Sequence, residues 1–347
     1  MEKKVKVIFI INPISGTVGK GHIVDMVPQY LGDSRFEVDI KYTEHSGHAA
    51  ELARQAASRA FDIAVAVGGD GTVNEVARSL VHTETALGIV PCGSGNGLAR
   101  HLGIPMNPSG ALRVIADCNI EKLDYGMIND TPFFCTCGVG FDAFVSSKFA
   151  ESGKRGLLSY IENTLREGLK YRSDTYDIEV DGEKQHYKAF LIACANASQY
   201  GNNVYIAPQA SMSDGLMDVT IMEPFNVLEA PQIAIQLFNK SIDTNSRIRT
   251  FKCHRLHIHR NAPGVIHFDG DPKQEGKDLD VRLVESAIHV VVNKEGDALQ
   301  PPLLRMFTDF YDNMNEELAN IRQDIAVGSN RIRSINKELL RKLRLPH

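Results

Sequence analysis

The residues best suited to chemistry form one short segment, Gly-Gly-Asp-Gly-Thr at residues 68–72. An apolar run at residues 63–67 precedes it, and apolar residues recur at helical spacing from Val73 onward, so a strand, a glycine turn and a helix are predicted. Glycines let a ligand approach the main chain, and the free N–H groups at the start of a helix favour an anion. An ordinary turn is the alternative, but it leaves the carboxylate of Asp70 without a packing role. The segment therefore predicts an anion-binding turn.

Two further glycine-rich turns follow apolar runs in the first third of the chain. Val5–Ile11 leads into Asn12-Pro13-Ile14-Ser15-Gly16, and residues 86–90 lead into Pro91-Cys92-Gly93-Ser94-Gly95-Asn96. The repeated alternation of strand and helix patterns predicts a doubly wound, mostly parallel α/β sheet with helices on both faces. Open α/β sheets bind ligands at the carboxyl ends of their strands, so the three turns are expected to form one site. None of them matches the phosphate loop or the dinucleotide fingerprint.

The pattern changes near residue 124, where short β-rich runs begin to dominate. These runs lie at residues 133–137, 175–181, 187–195, 216–222, 254–260, 264–269, 278–284 and 287–293. Two helical stretches interrupt them, and the whole is typical of a β-sandwich. We therefore divide the chain into an α/β domain at residues 1–123, a β-sandwich domain at residues 124–298 and a helical tail at residues 299–347. The active site is expected in the cleft between the first two domains.

The tail carries a stripe of apolar residues at alternating steps of three and four. Its members are Leu304, Phe307, Tyr311, Met314, Leu318, Ile321 and Ile325. Such a stripe favours a helical hairpin that packs on the protein or on a second copy, and our hypothesis is a homodimer. Basic residues cluster after Gly328-Ser329-Asn330. A solvated helix face is the ordinary interpretation of that cluster, and peripheral contact with anionic lipid is the alternative.

Composition narrows the classes of protein. The net charge of −5 over 347 residues gives no sign of nucleic-acid binding, so no nucleic-acid partner is expected. The six cysteines include no Cys-x-x-Cys pair, which argues against a zinc ribbon or a disulfide framework and suits a reducing compartment. No signal peptide is expected, and no run approaches the ~20 apolar residues of a membrane-spanning helix. A cytoplasmic protein is therefore predicted, and any contact with a membrane would be at its surface.

Together these motifs resemble those of the diacylglycerol kinase family of lipid kinases, which also holds sphingosine and ceramide kinases. The resemblance covers residues 5–295 and rests on Asn12-Pro13-x-Ser15-Gly16, Gly68-Gly69-Asp70-Gly71-Thr72 with Asn74-Glu75, Pro91-x-Gly93-Ser94-x-Asn96, Gly138-x-Gly140-x-Asp142-Ala143, Ser213-Asp214-Gly215-Leu216-Met217-Asp218-Val219 and Asp269-Gly270-Asp271. It implies an α/β nucleotide domain related to that of phosphofructokinase and NAD kinase, and a β-sandwich lid that carries catalytic groups. It also implies transfer of the γ-phosphoryl group of ATP, with Mg²⁺, to the hydroxyl of a lipid substrate, either diacylglycerol or a sphingoid base.

The resemblance also assigns residues to the nucleotide site. They are Asn12, Pro13, Ser15, Gly16, Thr43, Gly68, Gly69, Asp70, Gly71, Thr72, Asn74, Glu75, Gly93, Ser94 and Asn96. Taken alone, Thr43 and Ser94 are ordinary caps at strand ends. For Asn74 and Glu75 the alternative is an ordinary place in a first helical turn, and for Glu75 the two interpretations are equal. Lys20 and Arg100 are candidates for phosphate contact, with solvated surface as the equal alternative.

A structural magnesium site is implied at Ser211, Asp214 and the backbone of Leu216. One carboxylate and two further oxygens leave positions for water, which is ordinary for Mg²⁺. The residues alone favour a plain Ser-Asp-Gly turn at this position.

Two carboxylates are catalytic candidates for the base that accepts the proton of the lipid hydroxyl. Asp271 matches the family's proton acceptor, and Asp70 matches the base of the sphingosine kinase branch or organises Mg²⁺-bound ATP. The family usually has Asp-Gly-Glu where this chain has Asp-Gly-Asp, which shortens the reach of the side chain by roughly 1.3–1.5 Å. Gly97 is a second departure, because bacterial diacylglycerol kinases commonly carry Asp there. Asp142 is a candidate partner for the ammonium of a sphingoid base, or part of a structural turn.

Two other functions stay open. NAD kinase-like phosphotransferases share Gly-Gly-Asp-Gly-Thr and Asn-Glu, although the third turn and the Asp-Gly-Asp motif argue against that class. The second alternative is a non-catalytic regulator that binds lipid or nucleotide and has been inactivated by its departures at Asp271 and Gly97.

Overall fold

The computed structural model of the protein describes residues 3–14, 20–141, 143, 168, 171–180, 182–226 and 228–294. Its first part alternates strands with helices, as the sequence predicts. In chain order the elements are β1 (Val5–Ile11), α1 (Gly21–Tyr30), β2 (Phe36–Tyr42), α2 (His48–Ser58), β3 (Ile63–Gly68), α3 (Asp70–Leu80), β4 (Ala86–Pro91), α4 (Gly97–His101) and α5 (Pro108–Asp117). The strands lie in the order β2-β1-β3-β4, and each neighbouring pair is parallel. The predicted parallel α/β sheet is confirmed.

Burial explains why these segments form the centre of a sheet. Every residue of β3 is buried, which is expected for a parallel strand covered by helices on both faces. The helix α3 buries Val73, Val76 and Leu80 against this sheet, in agreement with their helical spacing. Because the chain order changes direction at β1, the carboxyl ends of β1 and β3 flank the crevice where open α/β sheets bind ligands.

The second part is mostly antiparallel. Its elements are β5 (Ile120–Ile128), β6 (Thr131–Phe133), β7 (Thr136–Gly140), β8 (Asp174–Val180), β9 (Glu183–Ala189), β10 (Leu191–Ala195), β11 (Met217–Met222), α6 (Ala230–Phe238), a 3₁₀ helix (Ile242–Thr244), β12 (Ile248–Cys253), β13 (Arg255–Arg260), β14 (Gly264–Phe268), β15 (Asp271–Glu275) and β16 (Asp278–Val291). Six of these strands form one sheet in the order β12-β11-β10-β7-β14-β15. The predicted β-sandwich is confirmed.

Two long strands connect the two parts. β16 pairs in parallel with β4 near its end, through Val290 and Leu87, and antiparallel with β13 near its start. β5 runs antiparallel along β16, with a shift of register between Val284 and Ile288. The first sheet therefore continues from the α/β part into the β-sandwich, which fixes the two lobes relative to each other. Residue 124 lies inside β5, and the domain boundaries at residues 123 and 298 stay predictions.

A tight hairpin turn between β14 and β15 sets the position of Asp271. Asp269 and Gly270 have φ angles of 51° and 87°, and Phe268 pairs directly with Asp271 across the turn. Two consecutive residues with positive φ form the hairpin turn that matches the twist of the flanking strands, and Asp-Gly is a preferred sequence for it. Asp271 is therefore held as the first residue of β15.

Several predictions fall on residues outside this description. They are the helical tail at 299–347 with its homodimer hypothesis, and the site residues Ser15, Gly16 and Asp142. In the part of the chain that the structure does describe, no helix has the length and apolar character needed to cross a membrane.

Candidate active site

The second and third glycine-rich turns lie side by side at the carboxyl ends of β3 and β4, and Asn12, where the first turn begins, lies next to them. A Cβ atom added to Gly93 would lie 2.7 Å from the Cα atom of Gly69, so the second and third turns touch through their backbones. Asn12, at the end of β1, donates from Nδ2 to the Thr72 hydroxyl at 3.1 Å, and its backbone N–H donates to Val67. The described parts of the turns, which the sequence predicts at one edge of the sheet, are thus in direct contact.

Asp70 ties the second turn to the third. Its two carboxylate oxygens accept the backbone N–H groups of Asn96 and Gly97 at 2.8 and 2.7 Å. Burial raises the pKa of the Asp70 carboxyl above its ordinary value, whereas these N–H donors and the charge of Arg100 lower it. Each oxygen of a carboxylate has about two acceptor positions, and the backbone N–H of Asp70 itself also bonds to this carboxylate, so the three donors leave capacity for one more. The carboxylate is thus a fixed part of the turn, with acceptor capacity left over.

Other residues assigned to the nucleotide site also brace the backbone. Asn96 adopts a left-handed conformation with φ 50°, and its side chain both accepts from and donates to the backbone of Gly93. Glu75 accepts the Gly47 N–H at the start of α2 at 3.0 Å. Asn74 is buried, and within the described part of the chain its Nδ2 atom has no hydrogen-bond acceptor.

The remaining predicted residues differ in exposure. The Thr43 N–H donates to Ile11 at 2.8 Å, which extends the pairing of β1 and β2, and Ser94 is exposed. Lys20 is 5% exposed and donates to the Asn12 carbonyl, so the solvated-surface interpretation does not hold for it. Burial lowers the pKa of its ammonium. Arg100 is half-buried and donates from Nε to Gly95 at 3.0 Å.

Asp271, from the β-sandwich, faces α3 of the α/β part. Its Oδ2 atom lies 3.9 Å from Nη2 of Arg78, and the Arg78 guanidinium lies 4.8 Å from the centre of the Phe268 ring. Burial raises the pKa of Asp271, the charge of Arg78 lowers it, and the charges of Asp70 and Glu75 raise it. The two carboxylates proposed as bases therefore belong to one electrostatic site between the lobes.

Arg78 is a functional candidate that the sequence did not reveal. Its Nε and Nη2 atoms are buried and, among the described residues, have no hydrogen-bond acceptor. The guanidinium is therefore balanced by the Phe268 ring and by the long ion pair with Asp271. The sequence shows only that Arg78 lies two turns after Asp70 on α3. That spacing does not predict a contact with Asp271, which is 193 positions away.

Asp269 holds the hairpin that carries Asp271. Its carboxylate accepts the backbone N–H groups of Phe134, Cys135 and Thr136 at 2.8, 2.6 and 3.1 Å. Full burial raises the pKa of Asp269 to about 6, against the lowering effect of these three donors and of Arg78. The first residue of Asp269-Gly270-Asp271 thus anchors the turn, and the last one projects from it.

The predicted magnesium loop already contains a cation. Asp214 accepts the Leu216 N–H at 3.1 Å through Oδ1, and its Oδ2 lies 2.6 Å from Nζ of Lys252. The Ser211 hydroxyl lies 3.3 Å from that of Ser213. Both oxygens of Asp214 are engaged and its counter-charge is an ammonium, so the donors as arranged do not fit a bound Mg²⁺ ion.

Comparison with known proteins agrees with this architecture. A family model described as the diacylglycerol kinase catalytic domain matches residues 6–128, and one described as the YegS C-terminal NAD kinase beta sandwich-like domain matches residues 135–292. The chain is 27% identical to a diacylglycerol kinase of Bacillus subtilis over 299 residues, which cover 84% of this chain and 97% of that protein. It is 31% identical to the probable lipid kinase YegS of Escherichia fergusonii over 212 residues, which cover 58% of this chain and 69% of the relative.

The fold and these matches define the class of protein as a lipid kinase. More narrowly, the chain belongs to the diacylglycerol kinase family, as its motifs predicted. A crystal structure of a diacylglycerol kinase from Bacillus anthracis str. Sterne has the same fold, with a TM-score of 0.69 at 22% identity, and the match covers 85% of this chain and 99% of that one.

Proposed function

We propose that the chain transfers the γ-phosphoryl group of Mg²⁺-bound ATP to the hydroxyl of a lipid at the membrane surface, with diacylglycerol as the first candidate substrate. The observation that carries the proposal is the position of Asp271, which projects from the second lobe to within 3.9 Å of Arg78 on the helix that begins at the glycine turn. The B. subtilis relative, 97% of which is matched, bears the name diacylglycerol kinase and favours that acceptor over a sphingoid base.

The glycine turn before α3 supplies groups that a triphosphate needs. N–H groups at the start of α3 favour the phosphates, and a Cβ atom added to Gly71 would meet no atom within 4 Å, which leaves room against the main chain. When bound, Mg²⁺ neutralises phosphate charge in the transfer. The remaining acceptor capacity of Asp70 suits the waters that Mg²⁺ retains.

Asp271 is the proposed general base. In its ionised form, the Asp271 carboxylate accepts the proton of the lipid hydroxyl. The hydroxyl oxygen bonds to the γ-phosphorus of ATP, the bond from that phosphorus to the bridging oxygen breaks, and ADP leaves. Partial withdrawal from solvent raises the pKa of Asp271, which is the direction that suits a base, and the charge of Arg78 lowers it. Asp is shorter than the Glu that the family usually has at this position. The ion pair with Arg78 holds the shorter side chain near α3.

Arg78→Met is expected to move the acid limb of the rate profile to higher pH. Rate is lost as pH falls through the pKa of Asp271, because the base must be ionised. Without the cation, the carboxylate faces the negative charges of Asp70 and Glu75 uncompensated, so we expect the pKa of Asp271 to rise and the acid limb to move to higher pH with it. The measurement is kcat/KM against pH. Arg78→Lys keeps the positive charge and should leave the acid limb at its wild-type pH. Arg113→Met, at an exposed arginine outside the site, is the control and should also leave it there. If the acid limb of Arg78→Met lies at the wild-type pH, Arg78 does not have this role.

Gly71→Ala is expected to weaken ATP binding by about tenfold without loss of stability. The new methyl group meets no protein atom within 4 Å, so Tm should hold or rise, while the phosphates lose their approach to the main chain. Titration calorimetry with Mg²⁺-ATP and a thermal melt measure the two effects. Gly32→Ala, which also meets nothing within 4 Å but lies outside the site, is the matched control. Unchanged ATP affinity in Gly71→Ala would place the phosphates elsewhere.

Radiolabelled ATP with a panel of acceptors tests the function itself. Diacylglycerol and a sphingoid base are offered in phospholipid vesicles, and NAD is offered in solution. Labelled phosphatidic acid is the expected product. Labelled NADP would favour the NAD kinase-like alternative, and ATP binding without transfer to any acceptor would favour the non-catalytic regulator.

A further inference from the structure

The loop that precedes β11 closes around the side chain of Lys252. Its ammonium lies 2.6 Å from Oδ2 of Asp214 and 3.3 Å from Oδ2 of Asp218, and 3.5 Å from the carbonyl of Gln209. The Lys252 and Asp214 side chains are each about one-third exposed, and the Asp218 side chain is 13% exposed. One cation thus contacts three oxygen atoms, two from this loop and one from the strand that the loop leads into.

The sheet fixes this cation in place. Lys252 on β12 is the direct cross-strand partner of Asp218 on β11, so the strand register sets their proximity. The loop is oriented independently, because Gly215, with φ 71°, donates its N–H to Asp124 at 3.0 Å and Asp214 accepts from Leu216. Two separate constraints therefore aim the Asp214 carboxylate and the ammonium at each other.

We propose that Lys252 is the resident cation of this loop and replaces the structural divalent metal that the residues Ser211, Asp214 and Leu216 would otherwise hold. Asp214, Asp218 and Lys252 together carry one negative charge. A divalent ion would have to displace the ammonium, which breaks its 2.6 Å ion pair with Asp214, or lie beside it and be repelled by its charge. Without the lysine, two carboxylates and a carbonyl would face one another, and oxygen donors of this kind suit Mg²⁺, Ca²⁺ and Mn²⁺.

Thermal melts without nucleotide test this proposal, and they do not depend on the proposed function or its ATP-bound metal. The full chain, stripped with EDTA, is melted in millimolar MgCl₂, CaCl₂ or MnCl₂ against NaCl of equal ionic strength. The wild-type Tm is expected to be the same with and without divalent metal. Lys252→Met is expected to melt several degrees lower without metal and to recover several degrees when a divalent ion is added.

The control is Lys184→Met, which removes an exposed lysine from its ion pair with Glu179 on the same lobe. It should show neither the loss nor the recovery. A rise in wild-type Tm of several degrees with a divalent ion would overturn the proposal, and this arm stands even if Lys252→Met fails to fold. A Lys252→Met protein that folds normally but does not respond to metal would overturn it as well.

Discussion

Asp271→Asn is expected to lower the rate of phosphoryl transfer by about 10²–10⁴-fold, the range for loss of a general base. An amide has the shape of the carboxylate but cannot accept the proton of the lipid hydroxyl. The Asp271 side chain is 56% exposed and forms a long ion pair of 3.9 Å with Arg78. The free energy of unfolding should therefore change by no more than about 0.5 kcal/mol. The rate of transfer is measured in single-turnover reactions with labelled ATP, and the free energy of unfolding is measured by denaturant titration.

Two controls separate chemistry from charge. Asp278→Asn removes an exposed carboxylate that contacts His259 on the far part of the first sheet, and it should leave transfer unchanged. Asp271→Glu restores the residue usual in the family and should retain activity, with any loss reflecting about 1.5 Å of extra reach. If Asp271→Asn folds correctly and turns over near the wild-type rate, the role of base moves to Asp70.

Local patterns predicted the elements that build the nucleotide side of the site. The apolar run before Gly68, the glycines and the spacing from Val73 onward each depend on neighbours in sequence, so β3, α3 and the turn between them could be anticipated. The Asp269-Gly270 hairpin turn has a local cause as well, because both residues tolerate positive φ. These patterns predict which strand, turn or helix carries a side chain, but not which residues it contacts.

The contacts that decide chemistry are long-range, and sequence spacing does not contain them. Asp70 was placed correctly at a strand end, but its two N–H donors come from another turn, at Asn96 and Gly97. Lys252 was indistinguishable from a surface lysine until the register of β11 and β12 placed it opposite Asp218. A strand shifted by one residue would point the same lysine to the other face of the sheet. The partners of Asp70 and Lys252 are thus set by the strand order and register, which sequence spacing does not reveal.

Asp124→Asn is expected to lower the free energy of unfolding by about 1–3 kcal/mol, the cost of leaving a buried donor unsatisfied. The side chain is 2% exposed, and its two oxygens accept the N–H groups of Gly215 at 3.0 Å and Ser286 at 2.7 Å. In Asn one oxygen becomes an NH₂ group, so in either orientation one backbone donor faces another donor. Denaturant melts measure the loss.

The position of Asp124 on a connecting strand means that its substitution should destabilise both lobes. Asp124 lies on β5, Ser286 lies at the shift of register in β16, and Gly215 belongs to the loop that Lys252 closes. We therefore expect a single cooperative transition at lower denaturant rather than separate melting of one lobe. Asp174→Asn, an exposed carboxylate that accepts the N–H of Thr175, is the matched control and should change stability by no more than about 0.5 kcal/mol. Equal stability of the Asp124 and Asp174 variants would show that these buried hydrogen bonds do not couple the loop to the connecting strands.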